Sequence, residues 1–159
     1  MLIASVRTLL LRDLSALRRE VEAYPEEPQL WACPPGISNA AGTLTLHCAG
    51  NLQHYIGARL GGPGYVRDRS AEFARRDVPR EELLAEVDRA LAAVEGALDR
   101  LDRATLPADY PEPVGGRTIT TGLFLVHLAT HLTYHLGQVD YHRRMVTGAG
   151  AIPGVVGIP

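Results

Sequence analysis

Apolar residues recur along this chain in four blocks, each at helical spacing. In the first, near 2–23, Leu10, Leu14, Leu17 and Val21 follow one another at steps of four, three and four, with Arg7, Arg12, Arg18 and Glu20 off the stripe. That spacing predicts an amphipathic helix. The second block, near 38–60, opens on Ser38 and Asn39 as N-caps and stops at Gly61-Gly62. The third, near 79–103, takes Asp77 as cap and Pro79 in its first turn, and carries a seam of Leu84, Val87, Leu91, Val94, Leu98 and Leu101. The fourth begins at Thr120 or Thr121 and runs to about 146. Between the first two blocks, "YPEEPQLWACPPG" holds four prolines and reads as a loop pinned by a buried Trp31. "PGYVRDRSAEFARRD" reads as an irregular link, and "ATLPADYPEPVGGRTIT" as a second Pro/Gly loop. No segment alternates with period two. The expected fold is all-α, a four-helix bundle, with one domain over 1–146 and a Gly/Pro-rich tail over 147–159. That tail is apolar enough to dock on its own body or on a partner chain.

Composition changes this picture little. The chain has 159 residues, 46% of them hydrophobic and 21% charged, which fits one globular domain with its own core. A formal net charge of −2 provides no basic surface for nucleic acid. All 16 basic residues are arginine, which reads as a GC-rich coding bias. Two cysteines, Cys33 and Cys48, form neither a disulfide framework nor a C-x-x-C pair and are expected as free, buried thiols. The N-terminal stretch lacks a basic n-region and a cleavage site, and no apolar run nears the ~20 residues of a membrane span. A cytoplasmic protein with no membrane partner is expected.

The histidines do change the picture. Four of the six lie in "HLATHLTYHLGQVDYH", residues 127 to 142, and the other two are His47 and His54. On a helix, residues four apart are separated by about 40° and residues seven apart by about 20°. His47, Asn51 and His54 therefore share one face of the second helix, and His127, His131, His135 and His142 share one face of the fourth. Facing stripes of neutral imidazole are what a divalent transition metal needs. An i, i+4 pair from one helix and a third imidazole from the other would make a half-shell, and spacing alone allows either His127/His131 or His131/His135. The second block has no acidic residue and the fourth none before Asp140, which argues against a di-metal carboxylate centre.

"LTLHCAGNLQHYIG" and "HLTYHLGQVDYHRR" resemble the two signatures of the DinB-like superfamily. The match takes in Ser38-Asn39, L-x-x-H-x-x-G-N-L from Leu44 to Leu52, Gly61-Gly62, R-D-R-x-x-E-F from Arg67 to Phe73, and H-x-x-x-H-x-G-Q at His131, His135, Gly137 and Gln138. It spans roughly residues 38 to 142. The resemblance implies a four-helix bundle with one divalent ion, zinc or alternatively nickel, on His47, His131 and His135. It leaves Asn51, His54, His127 and Gln138 as residues that support the ligands or face substrate, and His142 near the bundle end, exposed or capping carbonyls. Gly137 is expected to let its helix approach a neighbour closely, and Arg67, Asp68, Arg69 and Glu72 to form a local ion-pair network.

Members of that superfamily include transferases and an isomerase that use a low-molecular-weight thiol. A metal-dependent enzyme that activates such a thiol, or a water molecule, toward a small-molecule substrate is therefore implied. No acidic residue is obviously placed as a general base, which favours the thiol over a metal-dependent hydrolase. A non-enzymatic metal-binding stress-response protein is the alternative. The resemblance, with the apolar tail around Ile152 to Ile158, also implies a homodimer.

Overall fold

The computed structural model describes residues 1–157, so Ile158 at the end of the tail lies outside the described residues. α1 (Leu2–Glu22) leads through a 3-10 turn (Glu27–Trp31) to α2 (Ala41–Leu52), which continues as a π-helical turn (Gln53–Ala58). A short α3 (Arg69–Ala74) precedes α4 (Arg80–Arg100), and a 3-10 turn (Arg103–Thr105) precedes α5 (Thr121–Thr147). The described residues contain no strand, only two isolated bridges that brace the loop before α5. The fold is the expected all-α bundle of four long helices, with α3 added between the second and third.

α1 and α2 each pack on both α4 and α5, so α1 faces α2 across one diagonal and α4 faces α5 across the other. The stripe Leu10, Leu14, Leu17 and Val21 is fully buried. Each such side chain contributes roughly 1.5–3 kcal/mol on leaving water. α2 is buried at every position from Ala41 to Leu52, which places its polar side chains inside the bundle. α2 and α5 run antiparallel, because His47 meets His131 and His135 while Tyr55, further along α2, meets Phe124, earlier in α5.

Several expectations are corrected. α2 starts at Ala41 with Ala40 as its N-cap, so Ser38 and Asn39 stand outside the helix. α4 is entered from Pro79, whose carbonyl accepts from the Glu82 and Leu83 amides; Asp77 does not cap it but takes φ 54° in the connecting turn. Aspartate tolerates that left-handed conformation better than most residues. The buried face of α4 is Leu83, Val87, Ala90, Val94, Ala97 and Leu98, with Leu84, Leu91 and Leu101 at its edge. A helix wedged between two neighbours buries a wider face than a coiled-coil seam. α3 occupies part of the supposed irregular link, capped by Asp68 accepting from the Ala71 amide at 2.9 Å. Glu20 lies inside, at 0% exposure, in a buried pair with Arg143. Cys33 is exposed, and only Cys48 is a buried thiol. Trp31 is half-buried, its Nε1 donating to the Val78 carbonyl.

The tail lies on its own chain. Arg19 donates to the Pro153 and Gly154 carbonyls, Arg12 to that of Gly157 and Arg143 to that of Gly150, while Val155 packs on the core. The described part of the tail is thereby spent within the chain, which removes that support for a dimer.

Candidate metal centre

His47 projects from the middle of α2, and His131 and His135 from successive turns of α5. One nitrogen from each lies within 4.8 Å of the other two. His131 Nε2 stands 3.4 Å from His47 Nε2 and 3.2 Å from His135 Nε2. Two imidazole nitrogens held tetrahedrally by one zinc ion, each 2.0–2.1 Å from it, lie about 3.3 Å apart. The separations therefore fit a shared ion, and the His131/His135 pair, not His127/His131, is the one that meets His47.

The far sides of two rings are held. His47 Nδ1 lies 3.0 Å from Glu72 Oε2, and a carboxylate only accepts, so Nδ1 carries a proton and Nε2 is the nitrogen turned toward His131. Glu72 in turn takes Arg67 Nε on Oε1 at 2.6 Å and an Arg67 terminal nitrogen on Oε2 at 2.9 Å. His135 Nδ1 lies 2.7 Å from Gln138 Oε1, which directs the His135 Nε2 lone pair to the same centre. Such outer partners set the tautomer, orientation and basicity of ligating histidines. Phe73, also on α3, packs on the His47 ring at 4.9 Å between centroids.

Glu72 is the residue that sequence reasoning missed. The expected local ion-pair network holds in its Arg67–Glu72 pair, but Glu72 is 6% exposed and also reaches His47 on α2. The signal was present in R-D-R-x-x-E-F, and Gly50 in H-x-x-G is its counterpart. A Cβ at Gly50 would lie 3.0 Å from Glu72 Cδ, and closer still to Oε1. Glycine at 50 is the space into which the carboxylate fits.

Protonation favours ligation. Burial, then the neighbouring imidazoles of His135 and His47, pushes His131 down to about 4. His135 is also lowered, by burial, with Gln138 opposing. Burial alone would raise Glu72, but the hydrogen bonds from Arg67 and His47 hold it below the ordinary carboxylate range. The imidazoles of His131 and His135 are thus neutral, and Glu72 ionised, near pH 7.

The other candidates sit elsewhere. His127 is exposed, stacked between Phe124 at 5.8 Å and His131 at 5.9 Å. His54, carried off the face by the π-helical turn, lies 2.9 Å from Glu112, which also holds Arg59 at 2.6 Å. Asn51 is 7% exposed one turn from His47, and its Oδ1 has no hydrogen-bond partner among the described residues. His142 is buried, not exposed: Nε2 donates to the Ala32 carbonyl at 2.8 Å and Nδ1 accepts from Tyr24 Oη at 2.8 Å. Cys48 is pushed up to about 12 by burial, which makes it a poor nucleophile.

Beside the triad a cleft of about 270 Å³ opens between Leu44, Gln138, Tyr141 and Met145. On each helix it begins three residues from a triad histidine, at Leu44 before His47 and at Gln138 after His135. Among the described residues no helix is long and apolar enough to cross a membrane.

No curated protein matches the chain. A sequence model described as the DinB superfamily matches residues 3–139, which takes in the triad, Glu72 and all but the last turns of α5, and the chain belongs to that superfamily.

Proposed function

We propose that this protein is a metal-dependent enzyme that activates a low-molecular-weight thiol, or a water molecule, toward a small electrophilic substrate. The observation that carries this reading is the convergence of the His47, His131 and His135 Nε2 atoms, with Glu72 and Gln138 holding the opposite nitrogens. A site of three imidazoles suits zinc first and nickel second. When bound, such an ion lowers the pKa of a coordinated thiol or water and supplies a nucleophile near neutral pH.

The chain's own residues supply the rest. Glu72 and Arg67 keep the His47 proton on Nδ1, and Gln138 does the same for His135. Asn51 carries an unpartnered oxygen one turn from His47 and is our choice for orienting substrate or water. Glu72 is not a spare base, since Arg67 occupies both its oxygens and it lies behind His47. That disfavours a hydrolase pairing metal with a free glutamate, and so favours the thiol.

The test is metal analysis of untagged protein, then competition with a chromophoric chelator, then thiol consumption with metal restored. His135→Ala should abolish zinc binding and His127→Ala should leave it largely intact. The opposite pattern would move the ion one turn along α5. Failure of the wild-type protein to take up any divalent metal near neutral pH would overturn the reading. Metal uptake without thiol turnover would support a non-catalytic metal-binding role instead.

A further inference from the structure

The cleft beside the triad is lined without a charge. Ile37, Leu44, Tyr141 and Met145 form its apolar walls, and Ser38, Asn39 and Gln138 supply neutral polar groups. His142 lines it as well, but both its ring nitrogens are spent on Tyr24 and the Ala32 carbonyl. Asp140 and Arg144 are close by on α5, yet neither lines the cleft: they pair with each other at 3.5 Å, and Arg144 lies over the Tyr141 ring at 4.9 Å. Three other clefts carry charge: Arg100 lines one, Glu27 and Asp77 a second, and Arg18, Arg80 and Asp88 a third. An ionised group entering this cleft would shed water and find no opposite charge, whereas an uncharged one loses little.

The polar groups are placed for a ligand rather than for the fold. Ser38 and Asn39 are good helix caps that cap nothing, since α2 starts from Ala40 without a side-chain cap hydrogen bond. Gln138 is half engaged: Oε1 accepts from His135 Nδ1 at 2.7 Å, which leaves the Nε2 amide with two donors. None of the three triad histidines lines the cleft. A molecule in it therefore touches the outer partner of His135 and none of the three histidines.

We infer that this cleft is a second small-molecule site, separate from the metal centre, for an uncharged carbonyl compound with an apolar or aromatic body. The carbonyl oxygen accepts from Gln138 Nε2, and the body packs on Leu44, Tyr141 and Met145, side chains suited to flat or irregular apolar groups. The volume sets the size. A dry cavity of about 150 Å³ holds benzene. The cleft, at about 270 Å³, leaves room for one ring and a short substituent. It falls below the range of drug-sized ligand pockets, about 300–1,000 Å³. Occupancy reaches the metal centre through Gln138. An acceptor on Nε2 polarises the amide and strengthens Oε1 as the acceptor for His135 Nδ1, which makes His135 Nε2 a better ligand. The site stands on the cleft alone; only this coupling rests on the metal reading.

Acetanilide, an uncharged aromatic amide, is the probe, and metal-free protein is the first target. Titration followed by proton–nitrogen NMR should shift the Gln138 side-chain amide and the backbone amides of Ser38, Asn39 and Tyr141. The expected Kd is about 0.1–1 mM, ordinary for a ligand of about ten heavy atoms. Benzoate and benzylammonium, similar in size but charged, should bind at least about tenfold more weakly. Gln138→Glu still accepts from His135 but has no donor for a carbonyl, and should weaken acetanilide binding at least about tenfold. Tyr141→Ala, at an exposed position, should weaken it as well with the fold intact. No shift in the cleft at about 10 mM acetanilide overturns the inference, and so does benzoate binding as tightly. A Gln138→Glu variant that keeps full affinity refutes the carbonyl contact. With zinc present, saturating acetanilide should raise the metal affinity by about fivefold. An unchanged affinity breaks the link through Gln138. A chain that takes up no zinc sinks the metal reading and leaves the cleft measurements standing.

Discussion

Gly50→Ala is a one-carbon change that touches none of the three histidines, yet on the proposed reading it should weaken metal binding. Its Cβ would stand 3.0 Å from Glu72 Cδ, and nearer to Oε1, against a comfortable carbon contact of about 3.5–4.0 Å. The nearest atoms are the far end of a side chain, so the carboxylate should retreat by on the order of 1 Å while the helices stay. The His47–Glu72 hydrogen bond, now 3.0 Å, would then pass beyond hydrogen-bond range. Losing an outer partner of a ligating histidine costs about 10–100-fold in metal affinity, or about 1.4–2.7 kcal/mol. Helix propensity runs the other way, favouring alanine by roughly 0.5–1 kcal/mol. Affinity and fold stability should therefore move apart. Zinc affinity by chelator competition, measured for Gly50→Ala, Glu72→Ala and the double variant, separates the causes. If Gly50 acts through Glu72, the double variant should bind zinc no worse than Glu72→Ala alone. Unchanged affinity in Gly50→Ala, or fully additive losses, would refute this account of H-x-x-G.

Metal-free protein should lose stability as pH falls from about 6.5 toward 4. His131, held down to about 4 when folded, takes up its proton earlier in the unfolded chain, so stability rises with pH across that window. The loss should not exceed about 3 kcal/mol, and His131→Gln should flatten the urea-midpoint profile. Tyr24→Phe leaves His142 Nδ1 buried without its donor and should cost about 1–3 kcal/mol by urea denaturation. Cys33, exposed, should react promptly with iodoacetamide, while Cys48 should react only as the chain unfolds; comparable rates would contradict its burial.

Four long helices were legible in the chain because each repeats its apolar residues at the helical period, which is a local property. Gly61-Gly62, Thr120 and Gly148 end or begin helices through their own backbone or side-chain chemistry, so the second helix stop and the last helix start could be read before any packing was known. The segregation of histidine, and the i, i+4 pairs on the last helix, were equally local. Which pair meets His47 was not. That depends on the antiparallel register of α2 against α5, set by side chains such as Tyr55 and Phe124 that lie far apart in sequence. α3 spans only six residues, too few to show a period, and it stands where Phe73 and Glu72 dock on α2. Glu72 therefore read as one charge among several on a link until the fold carried it to His47. The π-helical turn likewise shifts the phase after Leu52 and sends His54 to Glu112, which a regular 3.6-residue count does not show. Tertiary structure also decided that the polar residues Glu20, Arg143 and His142 lie inside, because each finds its hydrogen-bond partner on another segment of the chain. Periodicity fixes the angle at which a side chain leaves its own helix; only packing decides what it meets there.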